Sequence, residues 1–294
     1  MTTVAIPPRA RKGLRTIILY VILLGITSLL LFPLVWLVST SLKDVGKEFS
    51  LPIQLVPHPP IWANYARVFE RAAFGVFVRN SFLVTILSVT GSVLSCSLVG
   101  FSFARLRYPG RDVLFGLVLS TMMLPAVIQL IPQFIVFNRV GWINTFLPLV
   151  VPSWFCQANY GQGAFYIFLM RQFFRTIPIE FDEAARVDGA STLQIFWHVV
   201  LPQAIPPLTA VGIFAFLSNW SDFLYPLVFL QKLNLQTVAL GIRLFHTSGG
   251  GLEQIPFRLM AAASFMALIP PVIVLLVGQR YFVRGVTLSG LAGR

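Results

Sequence analysis

The side chains that could support chemistry are few, and their spacing excludes most reactions. His58, His198 and His246 fall in different loops, without the short intervals that let imidazoles share a metal. Glycines are numerous, yet no Gly-x-x-x-x-Gly-Lys-Ser/Thr loop is present to cradle phosphates, so the chain does not hydrolyse ATP unaided. Neither a nucleophile elbow nor a paired-carboxylate arrangement is visible. The expectation is a protein that is not an enzyme and has no catalytic residue, metal or bound cofactor of its own. Cys96 and Cys156 both sit in apolar stretches and read as small buried hydrophobes, not as a redox pair.

Binding chemistry is what remains. Asp222 stands in Leu217-Ser-Asn-Trp-Ser-Asp-Phe-Leu-Tyr225, beside an apolar run. An acid at membrane depth is by default a functional candidate. Asn219, Trp220 and Tyr225 are adjacent, and sugar sites combine carboxylates or amides with aromatic faces. The structural alternative is an end-of-helix acid bonded to Ser218 or to backbone; both readings stay open. Gln129 and Gln133, one helical turn apart beside Pro125 and Pro132, form either a kinked pore-facing stripe or a helix–helix contact. Gln129, Gln133, Asn219, Trp220, Asp222 and Tyr225 are therefore the candidate substrate pathway. Ser88, Ser92, Ser95 and Ser97 have the small-residue spacing that lets helices approach closely.

These groups are set in an apolar frame. Of 294 residues 56% are hydrophobic and only 11% charged, and the mean hydropathy is +0.81. That is more apolar surface than a water-soluble domain of this size needs, so the chain is an integral membrane protein. The net charge of +12 raises nucleic acid as a partner. Most basic residues instead flank hydrophobic spans, as the positive-inside rule requires, and no nucleic acid is expected.

The organisation follows in order. A basic segment, residues 1–15, precedes a first transmembrane helix within 16–42. The apolar run is too long for a signal peptide and lacks a clean cleavage site. Residues 43–79 form a proline-rich extracytoplasmic loop ending in a short amphipathic helix near 62–71. A transmembrane core covers 80–282, with spans at 81–103, 113–137, 146–170, 205–229 and 259–281. Each holds ~20 or more residues, enough for a hydrocarbon core of about 30 Å. Six helices place both termini in the cytoplasm, with a cytoplasmic tail at 283–294. Arg105, Arg107, Arg111, Arg171, Arg175 and Arg186 fall in inner loops, against Arg139 alone in the outer loop after the third helix. The fold class is all-α and polytopic.

The polar segment 178–202 interrupts the core. Pro178 opens a helix, and Glu180, Asp182 and Glu183 suit its positive end. Gly189 supplies a left-handed terminus. Ser191 and Gln194 form a capping box for a second helix, whose Leu193, Phe196, Trp197, Val200 and Leu201 share one apolar face until Pro202. A compact capped hairpin between membrane segments is suited to docking.

Glu183-Ala184-Ala185, Gly189 and Leu201-Pro202 resemble, at matching spacing, the "EAA…G…I-LP" signature of bacterial ABC-importer permeases. Val199 departs mildly, where the family usually has isoleucine. Asp188-Gly189-Ala190 and Phe168-Leu-Met-Arg-Gln-Phe-Phe174 are similar to the carbohydrate-uptake branch, and to its maltose-transporter second-permease type. The resemblance covers roughly residues 16–290.

It implies the ABC type I importer permease fold, in which 178–202 is a cytoplasmic coupling hairpin seated in a groove of an ATPase subunit. Glu183, Ala184, Ala185, Asp188, Gly189, Leu201 and Pro202 would make that contact, while Phe196 and Trp197 hold the second short helix to the permease. The implied partners are a second homologous permease, two ATPase subunits that bind ATP and magnesium, an extracytoplasmic substrate-binding protein, and membrane lipid. The implied location is the bacterial inner membrane, and the implied mechanism is alternating access. The cargo reads as a di- or oligosaccharide, with glycerol-3-phosphate or a polyol as the alternative; apart from Arg280 at the very end of the last span, the spans contain no arginine for a phosphate. An ATP-independent channel or scaffold is the rival of a different class. The tail Gln279-Arg-Tyr-Phe-Val-Arg-Gly-Val-Thr287 reads as a basic membrane-edge anchor, with an ATPase contact as a further role that the resemblance suggests.

Overall fold

The computed structural model describes residues 8–50, 54–157, 161–244 and 257–291, with side chains described for 15–50, 54–157, 161–243 and 257–279. His246, residues 51–53, and the basic side chains of Arg9, Arg11, Lys12, Arg280, Arg284 and Arg294 lie outside the described residues. All regular structure among the described residues is helical, and the chain divides into two units.

The first unit comprises residues 1–71 and 248–266. Its helix α1, Pro8–Ser41, is apolar on every side, and its described side chains are exposed as far as Val35. A helix without a polar face is covered by lipid or by other helices. α2, Ala63–Arg71, is its amphipathic counterpart. Asn64 on α2 donates through Nδ2 to the carbonyls of Ser41 and Lys43, both at 2.9 Å, supplying partners that the end of α1 lacks. Lys43 is buried, with its ammonium over the Trp36 ring at 4.3 Å. Arg258, on α14 (Phe257–Leu291), pairs with Glu48 at 3.2 Å.

The second unit, residues 72–247 and 267–294, is built on α3, Phe74–Arg105. It continues with α4 (Arg111–Ser120), a 3₁₀ turn (Thr121–Met123), α5 (Ala126–Arg139), α6 (Leu147–Val150), a 3₁₀ turn (Val151–Phe155) and α7 (Gln162–Phe174). α3 packs against α7 and α11 (Ile205–Trp220). Between those two lie α8 (Glu180–Val187), α9 (Thr192–Gln194), a π turn (Ile195–Val200) and α10 (Leu201–Gln203). α12 (Leu224–Phe229) and α13 (Val238–Leu244) follow. Gly100 sets the α3–α7 approach: a Cβ there would stand 2.7 Å from Met170 Cβ. Small residues on α3 thus bring the backbones together where larger ones would separate them.

Three expected spans are interrupted. Residues 113–137 bend by 101° between Met123 and Ala126, because Leu124 precedes Pro125 and takes an extended conformation. The single helix expected over 146–170 is replaced by α6, a 3₁₀ turn and α7; Pro148 and Pro152 remove donors, and Cys156 turns left-handed at φ 59°. Such backbone is tolerated at membrane depth when protein satisfies it. Here Ser88 donates to the Leu149 carbonyl at 3.0 Å and Ser95 to that of Ser153 at 3.1 Å. The 205–229 span divides at 221–223 into α11 and α12. By length and composition, Arg15–Ser41, Phe74–Arg105 and Phe257–Gln279 each suffice to cross a membrane, and two bent pairs raise the number to five.

Candidate functional site

The hairpin between α8 and α11 is locked by its own backbone. Ala190 N–H bonds to Ala185 C=O at 2.9 Å and Gly189 N–H to Arg186 C=O at 3.0 Å, the paired closure of a Schellman motif. Gly189 has φ +85°, a conformation that costs any residue with a Cβ. Both bonds of the Ser191–Gln194 capping box form, Ser191 N–H to Gln194 Oε1 at 2.8 Å and Gln194 N–H to Ser191 Oγ at 3.4 Å.

The hairpin is held to the membrane core from below. Arg105, in the last turn of α3, donates to the Ile177 carbonyl at 2.6 Å and lies 3.7 Å from Asp182 of α8. Asp182 is buried, and desolvation pushes its carboxyl above the usual carboxylate range despite the nearby Arg105 charge. Phe196, with 1% exposure, packs in the core against Phe101 at 5.2 Å between ring centres.

The apolar face of the second helix is not the one that a 3.6-residue period gives. The π turn at Ile195–Val200 widens the helix, so Ile195, Phe196 and Val200 face the core. Leu193 and Trp197 turn outward at 59% and 45% exposure, correcting the expectation that Trp197 anchors inward. With Ile179, Phe181 and Val187 they give the hairpin an apolar outer surface. Glu183, Ala184, Asp188, Gly189 and Pro202 are exposed on it, while Ala185 and Leu201 are half-buried. A shallow cleft bounded by Asp188, Ala190, Gln194 and His198 opens beside Gly189.

The candidate pathway residues bond mostly to nearby backbone. Asn219 Nδ2 donates to the Ala215 carbonyl at 2.8 Å, and Trp220 Nε1 to that of Ala267 at 2.9 Å. Asp222 is buried and accepts the Tyr225 N–H at 3.3 Å, which is the backbone bond of the structural alternative. Tyr225 is buried against Phe229. Gln129 and Gln133 are half-buried on α5.

Sequence reasoning did not find the cavity nearby. It occupies about 410 Å³ between the α4–α5 break, the start of α7 and the end of α11. Gln162, Phe165, Tyr166, Phe214, Ser218 and Ser221 line it, with Met122 and Leu217. The Tyr166 hydroxyl donates to Gln162 Oε1 at 2.5 Å, and Phe165 and Phe214 meet edge to face at 5.9 Å. Among the described residues, none that lines it is charged.

The sequence profile of the binding-protein-dependent transport system inner membrane components matches residues 96–288, which include the entire hairpin and the cavity walls. The chain belongs to that family. It is a multi-pass membrane permease of the ABC-importer class, not an enzyme. The permease is 33% identical over 282 residues to the sn-glycerol-3-phosphate transport system permease protein UgpE of Yersinia enterocolitica, covering 94% of this chain and 96% of that one. UgpE of Salmonella typhi is 32% identical over the same shares. Among solved structures, the permease matches a bacterial ABC transporter involved in import of the acidic polysaccharide alginate, with TM-score 0.80, 25% identity and coverage of 96% of this chain and 100% of that one. A chain of the MetNI methionine ABC transporter shares the fold at TM-score 0.52 and 17% identity, covering 74% of this permease and 97% of that chain.

Proposed function

We propose that this permease forms one half of the translocation pathway of an ATP-driven, binding-protein-dependent importer of a neutral sugar, with both termini cytoplasmic. The observation that carries the coupling role is the hairpin: a rigid, doubly capped element with an apolar outer surface, tied by Arg105 and Phe196 to the membrane core. In this reading Glu183, Ala184, Ala185, Asp188, Gly189, Leu201 and Pro202 meet the ATPase. The ATPase pair binds ATP and magnesium, and closure of that pair moves the hairpin as a lever, so that the spans reorient around the cargo. A second homologous permease completes the pathway, and an extracytoplasmic protein delivers the cargo. A solved alginate transporter in complex with a pentasaccharide-bound periplasmic protein supports that last partner by likeness of fold.

The Yersinia and Salmonella relatives favour a second reading, in which the same machine carries sn-glycerol-3-phosphate. A phosphate dianion at membrane depth requires a cation or a ring of donors. The lack of charge among the described lining residues of the cavity supports the neutral reading over this one.

The test is ATPase activity of the complex purified from membranes after co-expression with its genomic neighbours, against binding protein loaded with sugars or with sn-glycerol-3-phosphate. Stimulation by a sugar, abolished by Glu183→Lys without loss of membrane insertion, is the expected result. Purification without any ATPase would move the channel or scaffold reading forward, and stimulation by sn-glycerol-3-phosphate alone would establish the phosphate reading.

A further inference from the structure

We propose that the cavity between the α4–α5 break, α7 and α11 is a cargo subsite on this chain, recognising a neutral polyhydroxylated molecule by an aromatic wall and a hydroxyl–amide edge. The proposal rests on the importer reading above and deepens it: this half of the permease touches the cargo directly.

The cavity has the composition that such a ligand needs. A pyranose or polyol presents apolar C–H faces and a rim of hydroxyls, so its site requires flat apolar surfaces beside a few oriented polar groups. Phe165 and Phe214 line the cavity and provide two ring planes inclined at 67°. Gln162 at the first turn of α7 is oriented by the Tyr166 hydroxyl on its Oε1, which fixes the amide plane. Ser221 donates to the Leu217 carbonyl at 2.5 Å, leaving its lone pairs to accept. A volume of about 410 Å³ lies within the usual range for small-molecule sites.

Ser218 points to a ligand independently. It lines the cavity, yet its Oγ is shielded from water and has no hydrogen-bond partner among the described residues. A hydroxyl in this state retains an unfilled donor and acceptor. Rotation about its single side-chain torsion delivers both to a ligand hydroxyl at the cavity wall. Its neighbours do not resolve the deficit: Asn219 bonds to Ala215, and Ser221 to Leu217. Among the described residues the lining has no arginine, lysine, aspartate or glutamate, which selects against charged cargo.

The cavity also sits where a moving cargo would pass. It lies at the end of α11 remote from the hairpin, about 20 Å along the helix from Ile205 at 1.5 Å per residue. The break at Leu124 and Pro125 opens one wall and the start of α7 forms another. Reorientation of α11 by the hairpin would therefore alter the subsite.

The experiment uses the full complex in proteoliposomes with its binding protein, and measures uptake of maltose, sucrose, trehalose, glycerol and sn-glycerol-3-phosphate. Ser218→Ala and Gln162→Leu are compared with the parent complex for KM, kcat and thermal stability. The expected result is uptake of at least one neutral compound, with KM raised five-fold or more in each variant. Ser218→Ala should keep or raise the melting temperature, because it removes an unpaired hydroxyl without adding volume; a purely structural serine would instead lower the melting temperature and leave KM unchanged. Unchanged KM in both variants overturns the subsite while leaving the importer reading intact. Uptake of sn-glycerol-3-phosphate alone, or of no neutral compound by a complex whose ATPase still responds to its binding protein, overturns the neutral class. Loss of that ATPase response in the parent complex overturns the importer reading and the subsite together.

Discussion

Arg105 and Asp182 connect the central membrane helix to the hairpin: the guanidinium Nε lies 3.7 Å from a carboxylate oxygen, and both side chains are shielded, at 5% and 3% exposure. The pair spans 77 residues of sequence and is an ion-pair tie between α3 and α8. Removing one partner of a shielded pair leaves an uncompensated charge, at a cost on the order of 3 kcal/mol. Arg105→Ala also loses the bond to the Ile177 carbonyl. We expect this variant to insert normally and to lose coupling, read as ATPase activity no longer stimulated by loaded binding protein, with faster amide exchange across 177–190.

The pH dependence follows from Asp182. Burial raises its carboxyl above the ordinary value of 3.8, so the folded hairpin binds a proton more readily than the unfolded chain. Its contribution to stability is therefore greatest below the ordinary value and is lost as pH rises through the raised folded-state value. At neutral pH the buried carboxylate is a cost. Asp182→Asn should flatten this component: the difference in amide-exchange protection between parent and variant over 178–190 should narrow or change sign on acidification from neutral pH. A difference independent of pH would show that Asp182 titrates as an ordinary exposed acid.

Gly189 tests the turn. At φ +85° an L-residue with a Cβ is strained by about 1–2 kcal/mol, although nothing lies within 4 Å of the added atom. Gly189→Ala should raise proteolytic nicking near 186–190, and Gly189→Asn should do so less, since asparagine tolerates the left-handed region. Equal sensitivity of both variants would assign the effect to lost packing instead.

Phe196 and Trp197 are neighbours with opposite duties, which makes them a matched pair. Phe196→Ala should cost about 3–5 kcal/mol, the range for truncating a buried aromatic. Trp197→Ala removes a side chain that is 45% exposed and should leave the melting temperature of the isolated permease nearly unchanged. It should nevertheless reduce the ATPase retained through affinity purification, because exposed aromatics at interfaces carry much of the binding energy. Equal loss of stability in both variants would place Trp197 in the core.

The local devices of the hairpin were legible in the sequence, and the longer-range ones were not. Ser191, Gln194 and Gly189 act within four residues, and their side-chain chemistry alone specifies the cap and the turn. The π turn at Ile195–Val200 escaped because an apolar pattern is read at 3.6 residues per turn, which assigns Trp197 to the wrong side. Pro148 and Pro152 were visible, but whether prolines kink or break a span depends on distant donors, here Ser88 and Ser95. Asp222 accepts the Tyr225 backbone N–H, a bond that the local sequence allowed without selecting. The cavity was invisible for a different reason. Phe165, Phe214 and Ser218 come from separate helices, and each alone reads as an ordinary membrane residue.

Gly100 offers a test of the α3–α7 crossing on which the cavity's α7 wall depends. A methyl at Gly100 would stand 2.7 Å from Met170 Cβ, 3.2 Å from Arg171 N and 3.3 Å from Ile167 O, so Gly100→Ala must push the helices apart. Overpacking of this kind costs about 1–3 kcal/mol. Because the nearest atom is a Cβ, Met170→Ala should not rescue the variant, whereas Met170→Gly should restore part of the lost melting temperature. The double-mutant cycle in detergent measures this directly. Rescue by Met170→Ala would mean that the long thioether side chain, not the backbone approach, is what Gly100 accommodates.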